Sequence, residues 1–280
     1  MMSAVRNSIL CPHCRKLISL DEPACPYCGL IRPGLHATAG KLRNILFAFE
    51  PVTAIIYVNI AFFALSLLID PRGIFMGGSP FGFLSPSNQS LLNLGASGAM
   101  PVLVYHNYWS LFSASFLHGG ILHIVFNMMA LYQLGPFVLR EFGLHRFVNI
   151  YILAGVAGFA VSVLASVPLT IGASASICGL IGAVIYFGKS RGGSYGDDIF
   201  KQALGWVAGL IIFGFIFSGI NNWAHGGGLL SGWLIAYLMG YNDRNPESAW
   251  SKILAYACML ITAGVLIWAI VSSVFGKFAA

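Results

Sequence analysis

Long apolar stretches joined by short polar connections constrain the fold of this 280-residue chain more than any other feature. Most of them approach the roughly 20 residues that a helix needs to cross the hydrocarbon core of a bilayer. The fourth stretch is short, and we expect its first residues to lie inside the bilayer. The predicted spans are Pro51–Ile69, Phe116–Leu139, Phe147–Leu169, Ser174–Gly188, Ala203–Ile220, Trp223–Tyr241 and Ile253–Phe275. We therefore predict an all-α polytopic membrane protein with a seven-helix bundle.

The composition excludes several other classes of protein. Hydrophobic residues make up 58% of the chain and charged residues only 9%, whereas a soluble globular protein carries about 25% charged residues. This excludes a soluble enzyme and a disordered chain. The net charge of +6 comes from dispersed Lys and Arg, without a basic run interleaved with aromatics. We therefore expect no nucleic-acid partner.

The positions of the basic residues predict the orientation. With the N-terminus inside, the outer segments hold only Arg72 and Lys277 of the 15 basic residues. This bias fits the positive-inside rule, so we expect a cytosolic N-terminus and an outer C-terminus, in a membrane such as the bacterial inner membrane. Residues 1–10 lack the apolar stretch of a signal peptide. The inner segments hold Arg6, Arg15, Lys16, Arg32, Lys41, Arg43, Arg140, Arg146, Lys189, Arg191, Lys201, Arg244 and Lys252.

The chain divides into a polar head and a membrane domain. We assign residues 1–40 to a cytosolic module with its linker and residues 41–280 to the membrane domain, in which 253–275 is an additional seventh span. Residues 70–115 form a long outer loop that is rich in Gly, Ser, Pro and aromatics and almost without charge. We expect this loop to pack against the bundle or to dip into the outer interface.

Four cysteines in the head have the spacing of a metal site. Cys11, Cys14, Cys25 and Cys28 form two C-x-x-C pairs separated by ten residues, and two such pairs can place four thiolates around a structural zinc ion. The segment is too short to hold a core unaided, and cytosolic thiols stay reduced, which favours zinc over disulfides. The module is either a docking site for a cytosolic partner or a folded cap without one. Cys178 and Cys258 are expected to be small packing residues.

The acidic residues limit the chemistry that the membrane domain can perform. All nine of them fall in the head, in loops or at the edges of spans. This placement argues against paired intramembrane aspartates and against transport through buried carboxylates, including a zinc-regulated transporter. The seven histidines include no H-E-x-x-H motif of a zinc hydrolase.

Uncharged polar residues gather in the outer half of three spans. Ser174 begins the fourth span, His225 begins the sixth, and His123 and Asn127 share one face of the second. A serine near a histidine can act as a nucleophile with its base, and nearby Asn and His side chains can donate to an oxyanion. No acid is available to orient His225, so a Ser–His dyad is the economical interpretation.

Small residues predict that the fourth and sixth spans pack closely. They repeat every four residues on both spans, and such faces let helix backbones approach each other. Close packing would bring His225 to Ser174, although glycine packing without catalysis is also common. The small residues are Ala175, Gly179 and Ala183 on the fourth span, and Ala224, Gly228 and Gly232 on the sixth.

Three motifs resemble those of the rhomboid intramembrane serine proteases. Phe116-Leu117-His118 is followed by His123 and Asn127, in the manner of the family's second span. The serine motif reads Gly172, Ser174, Ala175, Gly179 and Gly182, and the histidine motif reads Ala224, His225, Gly227, Gly228 and Gly232. The motifs stand in the family's order, and the resemblance covers residues 51 to 241. The seventh span resembles the variant of the family with one extra C-terminal helix.

The resemblance implies an activity and a set of roles. Ser174 would be the nucleophile and His225 the general base and acid, with His123, Asn127 and the Ser174 backbone N–H as the oxyanion hole. Structural support would come from His118, Gly172, Gly179 and Gly228, with His118 anchoring the outer loop. The substrate would be a single-pass membrane protein that enters sideways into a water-filled cavity open to the outside, with no cofactor needed for catalysis. The alternative is an inactive rhomboid-like protein that binds and escorts transmembrane helices.

Overall fold

The computed structural model describes residues 8–11, 13–14, 16–19, 22–33, 50–71, 84–216 and 219–275. The chain divides into two compact units, Met1–Pro51 and Val52–Ala280. The expected boundary at residue 40 lies outside the described residues, as does the segment 72–83 of the expected outer loop. The basic residues outside the described part are Arg6, Arg15, Lys41, Arg43, Arg72 and Lys277.

The first unit contains a small hairpin. Strands β1 (Ser8–Leu10) and β2 (Leu17–Ser19) pair antiparallel, with Ile9 opposite Ile18. A second short contact joins Ala24 to Ile31. Few side chains are buried between these segments, and two of the buried ones are cysteines. Because so small an apolar cluster contributes little to stability, this unit needs another stabilising interaction to stay folded.

The second unit is helical. Its central element is α6, in which every residue from Ala175 to Val184 is buried. α6 contacts α4, α5, α7 and α8, and its most extensive contact is with α8. The helices are α1 (Pro51–Ile69), α2 (Asn88–Asn93), α3 (Ser110–Ser113), α4 (Ile121–Phe142), α5 (Leu144–Leu164), α6 (Ser174–Arg191), α7 (Gly193–Ile216), α8 (Asn222–Met239) and α9 (Ala249–Phe275).

Five of these helices are long and apolar enough to cross a membrane: α1, α4, α5, α7 and α9 over Ala249–Ser273. The chain is therefore an integral membrane protein. The two helices that correspond to the predicted fourth and sixth spans, α6 and α8, are not among the five. Both are 18 residues long and glycine-rich, and α6 ends in Lys189 and Arg191. Because α6 is enclosed by other helices, it need not match the apolar character of lipid.

Several helix boundaries differ from the predicted ones. The second span begins at Ile121 rather than Phe116, since a short 3-10 turn, Ala114–Phe116, and four non-helical residues precede it. The third ends at Leu164 rather than Leu169, four residues before Pro168, which restricts the residue before it to extended backbone. The fifth begins at Gly193 rather than Ala203, because polar residues extend the helix beyond its apolar part. The seventh begins at Ala249 rather than Ile253.

The described part of the predicted outer loop, which we call the outer connection, packs against the bundle. Leu91, Leu94 and Ala96 are buried, and the backbones of Ser97 and Thr170 pair with each other. A π-helical turn, Met100–Val104, and α3 follow. The connection therefore contributes to the walls of the molecule instead of acting as a plain linker.

A polar cluster joins α5 to the loop between α8 and α9. Glu247 Oε1 accepts from the backbone N–H groups of His145 (2.9 Å) and Arg146 (3.3 Å), and Oε2 lies 2.6 Å from His145 Nδ1. Desolvation raises the pKa of Glu247, but the hydrogen bonds from His145 and Arg146 outweigh it and hold that pKa below its ordinary value. The buried Arg146 donates to the carbonyls of Asn245 (2.9 Å) and Pro246 (3.0 Å). We refer to Glu247, His145 and Arg146 as the Glu247 cluster.

Candidate active site

Ser174 is the first residue of the central helix. Gly172, two residues earlier, has φ +121°, which residues with a side chain rarely adopt. Its N–H donates to the Ala114 carbonyl at 2.9 Å, which fixes the turn into the helix. The backbone N–H groups of the first helical turn have no intrahelical acceptor. Ser174 therefore presents both its hydroxyl and its backbone N–H at the start of α6.

His225 lies in the first turn of α8, beside Ser174. The His225 Nε2 atom is 2.9 Å from Ser174 Oγ, although 51 residues separate the two in sequence. The small faces of α6 and α8 meet here: a Cβ on Gly228 would collide with the carbonyl oxygen of Ala175, and a Cβ on Gly232 with that of Gly179. The backbones are therefore in direct contact, and this contact brings the side chains of Ser174 and His225 together.

In the part of the chain that the structure describes, no carboxylate orients the His225 imidazole. The other ring nitrogen of His225, Nδ1, is buried and has no hydrogen-bond partner among the described residues. The described residues that line the surrounding cavity include no Asp, Glu, Lys or Arg. For Nε2 to accept the serine proton, Nδ1 must carry the other proton of the neutral ring. The pair has the composition of a dyad rather than a triad.

His123 and Asn127 lie on α4 and line the same cavity. The Gly119 N–H donates to His123 Nδ1 at 3.2 Å, which assigns the proton of the neutral ring to Nε2. A Cβ on Gly172 would lie 2.7 Å from that Nε2, so the donor sits directly beside the turn that precedes Ser174. The Asn127 amide donates to the carbonyl of His123 at 2.8 Å, so it is bonded to its own helix.

His118 packs on His123 without hydrogen bonding. Its side chain is fully buried, and neither ring nitrogen has a partner among the described residues. The two imidazole rings meet edge to face with their centroids 5.0 Å apart. The ring contact joins His118 to the site, and its expected role in anchoring the outer loop stays a prediction.

A cavity of about 1650 Å³ is lined by the side chains of Ser174, His225, His123 and Asn127. Its walls come from α4, α6, α7, the start of α8 and residues 85–91 of the outer connection. The Phe126 and Phe213 rings join α4 to α7 edge to face, 5.9 Å apart. Within α7 only Gly196 and Ala203 are buried, so most of this helix faces away from the rest of the protein. A smaller cleft of about 250 Å³ continues between α4 and α7, and Gln202 and Trp206 line both spaces.

One residue of the site escaped the sequence interpretation. Asn221 directly precedes α8, lines the cavity and makes four side-chain hydrogen bonds. An Asn immediately before a helix is a recognisable N-cap signal. Its bonds to distant segments, however, carry no sequence signature.

The four head cysteines form a separate cluster in the first unit. Their sulfur atoms all lie within 4.8 Å of one another, and none is in a disulfide. A backbone hydrogen bond from Cys14 is the main cause that lowers the pKa of the Cys11 thiol to about 6. Four sulfurs at this spacing can hold a metal ion.

A polytopic helical membrane protein with a Ser–His pair lining a cavity is a recognisable class, and comparison with known proteins gives its family. The family model of the Rhomboid domain matches residues 105–242. RHOMBOID-like protein 1 of Arabidopsis thaliana is 32% identical over 255 residues, which cover 77% of this chain and 63% of that protein. Rhomboid protease GluP of Bacillus subtilis is 33% identical over 187 residues, 65% of this chain and 35% of GluP. YdcA of the same bacterium is 31% identical over 134 residues, 47% of this chain and 67% of YdcA.

The chain belongs to the rhomboid family. It spans less than two thirds of the length of RHOMBOID-like protein 1 and about a third of GluP. The rhomboid membership predicted from the motifs is thereby confirmed.

Proposed function

We propose that the protein is an intramembrane serine endopeptidase that hydrolyses a peptide bond in or near the transmembrane segment of membrane-protein substrates. The observation that carries this proposal is the 2.9 Å contact between Ser174 Oγ and His225 Nε2 inside a cavity large enough for an unwound peptide. A packing serine has no need of an imidazole at hydrogen-bond distance. The name of GluP, a rhomboid protease, supports the same activity class.

The reaction follows from the positions of the groups. Ser174 Oγ attacks the scissile carbonyl carbon while its proton passes to His225 Nε2. The oxyanion accepts hydrogen bonds from the His123 Nε2–H and the Ser174 N–H, and from the Asn127 amide once it rotates away from its own helix. The imidazolium then protonates the leaving amine as the C–N bond breaks. A water molecule, deprotonated by His225, hydrolyses the acyl-enzyme and restores the Ser174 hydroxyl.

The substrate reaches the site from the bilayer. α7 has the fewest buried residues of the cavity walls, and the Phe126–Phe213 ring pair connects it to α4. Displacement of α7, or of the outer connection that lines the cavity, admits a single-pass transmembrane segment. The charge bias supports an active site towards the outer face and an N-terminal module in the cytosol, and both stay predictions. A bacterial inner membrane, on the same charge bias, stays a prediction.

The four cysteines bind structural zinc. Tetrahedral thiolate sites of this spacing suit Zn²⁺, which stabilises units too small for a core. Cys11, Cys14, Cys25 and Cys28 are the ligands, and the metal takes no part in hydrolysis. Elemental analysis of the purified protein should give about one zinc per chain, and a content well below that would refute the assignment.

A reporter cleavage assay tests the catalytic proposal. The full chain, reconstituted in liposomes with a single-pass reporter, should release a product that is absent with Ser174→Ala and His225→Ala. Both variants should keep the thermal unfolding midpoint of the parent. Equal product from the parent and Ser174→Ala would reject the protease. Co-purification of the uncleaved reporter with all three proteins would then support the alternative, an inactive protein that escorts transmembrane helices.

A further inference from the structure

The Asn221 side chain connects three separate segments of the protein. Its Oδ1 accepts from the backbone N–H groups of Trp223 and Ala224, each at 3.1 Å. Its Nδ2 donates to the hydroxyls of Ser162 (2.7 Å) and Thr170 (2.9 Å). Both donors and both acceptor positions of the amide are therefore in use.

These bonds link the chain just before His225 to the chain just before Ser174. The Asn221 carbonyl accepts from the His225 N–H at 3.2 Å, so the residue lies one helical turn ahead of the imidazole. Thr170 lies four residues ahead of Ser174, and its backbone is fixed by pairing with Ser97. Ser162, on α5, donates its own proton to the Gly158 carbonyl at 3.1 Å and so offers a lone pair to Asn221. Asn221 thus fastens the start of α8 to the segment that delivers the nucleophile.

Helix capping accounts for only half of these bonds. A cap needs the acceptor alone, and Ser, Thr or Asp would supply it. The two donated bonds need an amide. They matter because His225 Nδ1 has no partner among the described residues, so no second side chain there steers the imidazole. The position of the ring then depends on where α8 begins.

We propose that Asn221 is a positioning residue that sets the separation between His225 and Ser174 through its bonds to Thr170 and Ser162. This inference rests on the proposed protease function. Asn221→Ser keeps the cap but removes both donated bonds, and Thr170→Val removes one acceptor with little change of shape. Ser231→Ala is a matched control on α8, because among the described residues the Ser231 hydroxyl bonds only to the carbonyls of Gly227 and Gly228 on its own helix.

The experiment measures kcat and KM for the reporter, the rate at which a fluorophosphonate labels Ser174, and amide exchange of residues 219–230. A misplacement of about 1 Å costs roughly 100-fold in rate. We therefore expect Asn221→Ser and Thr170→Val to lower kcat and the labelling rate by roughly 10- to 100-fold, with KM within about twofold. The double variant should be no slower than Asn221→Ser alone, since both changes break the same link. Ser231→Ala should match the parent.

Parental kcat and labelling in Asn221→Ser would overturn the proposal, because the cap alone would then suffice. An equal loss of kcat and labelling rate in Ser231→Ala would also overturn it. Removing a hydroxyl that bonds within α8 would then have the same effect as removing the bonds of Asn221. Should the parent itself fail to cleave the reporter, the protease proposal fails, and amide exchange decides the positioning role separately. Faster exchange at the start of α8 in Asn221→Ser and Thr170→Val supports that role, and unchanged exchange refutes it.

Discussion

Gly172→Ala isolates the contribution of the His123 ring to the proposed chemistry. The new Cβ would lie 2.7 Å from His123 Nε2 and 2.8 Å from Cε1. The ring must withdraw by roughly 0.7 Å to reach ordinary van der Waals distance, which takes its N–H away from the oxyanion position. The loss of one oxyanion donor costs roughly 100- to 1000-fold in kcat, or about 2.7–4 kcal/mol of transition-state stabilisation. The φ of +121° adds backbone strain of about 1–3 kcal/mol to the folded state.

Gly192→Ala is the matched control for this prediction. Gly192 has φ +66°, and no atom lies within 4 Å of the position that a Cβ would take there, so it shares the backbone strain without the clash. Reporter cleavage and thermal unfolding should be measured for both variants and for His123→Ala. We expect both glycine variants to lose stability and only Gly172→Ala to lose kcat. The reasoning is wrong if Gly172→Ala cleaves at the parental rate while His123→Ala is slow, because the methyl would not then displace the ring.

Three further predictions concern packing, charge and metal. Gly228→Ala should lower the free energy of unfolding by roughly 1–3 kcal/mol, because its methyl collides with a carbonyl of α6. Gly226→Ala should not, because no atom lies within 4 Å of its Cβ position. Equal thermal unfolding midpoints for the two variants would contradict this prediction. Glu247→Gln should lower the free energy of unfolding by about 1 kcal/mol at pH 7. Because the folded pKa of Glu247 is lowered, its contribution is fully present above the unfolded pKa, declines below it and is lost as the pH falls through the folded pKa. The deficit of Glu247→Gln should therefore shrink as the pH is lowered from 7 through the acid range, and a deficit that does not change with pH would refute the assignment. Cys14→Ser should reduce the zinc content measured by elemental analysis, and an unchanged content would exclude this thiol as a ligand.

The sequence predicts the helices best where lipid or packing dictates the residue type. The first span coincides with α1, and the prediction that the fourth begins at Ser174 matches α6. Apolar length is a local property, so it can be counted along the chain. The errors fall where helices extend into polar residues, as at Gly193, because hydropathy marks the edge of the lipid rather than the end of the backbone hydrogen bonds.

In the site, the sequence likewise predicts the residues of local motifs but not the contacts between distant segments. Motif spacing singled out Ser174 and His225, which the structure places 2.9 Å apart. Their catalytic roles stay a prediction until cleavage is measured. The contacts of Asn221 with Ser162 and Thr170 span 59 and 51 residues. No local pattern encodes such pairings, since they depend on how α5 and the segment before α6 fold together.

The glycine contact between α6 and α8 has a consequence for engineering. Since main chain meets main chain there, the alignment of Ser174 with His225 is set by the path of the polypeptide and tolerates almost no side-chain variation. Attempts to redirect the specificity of the proposed protease should leave this glycine contact unchanged and vary cavity residues of α7, or residues of α4 other than the proposed oxyanion donors His123 and Asn127.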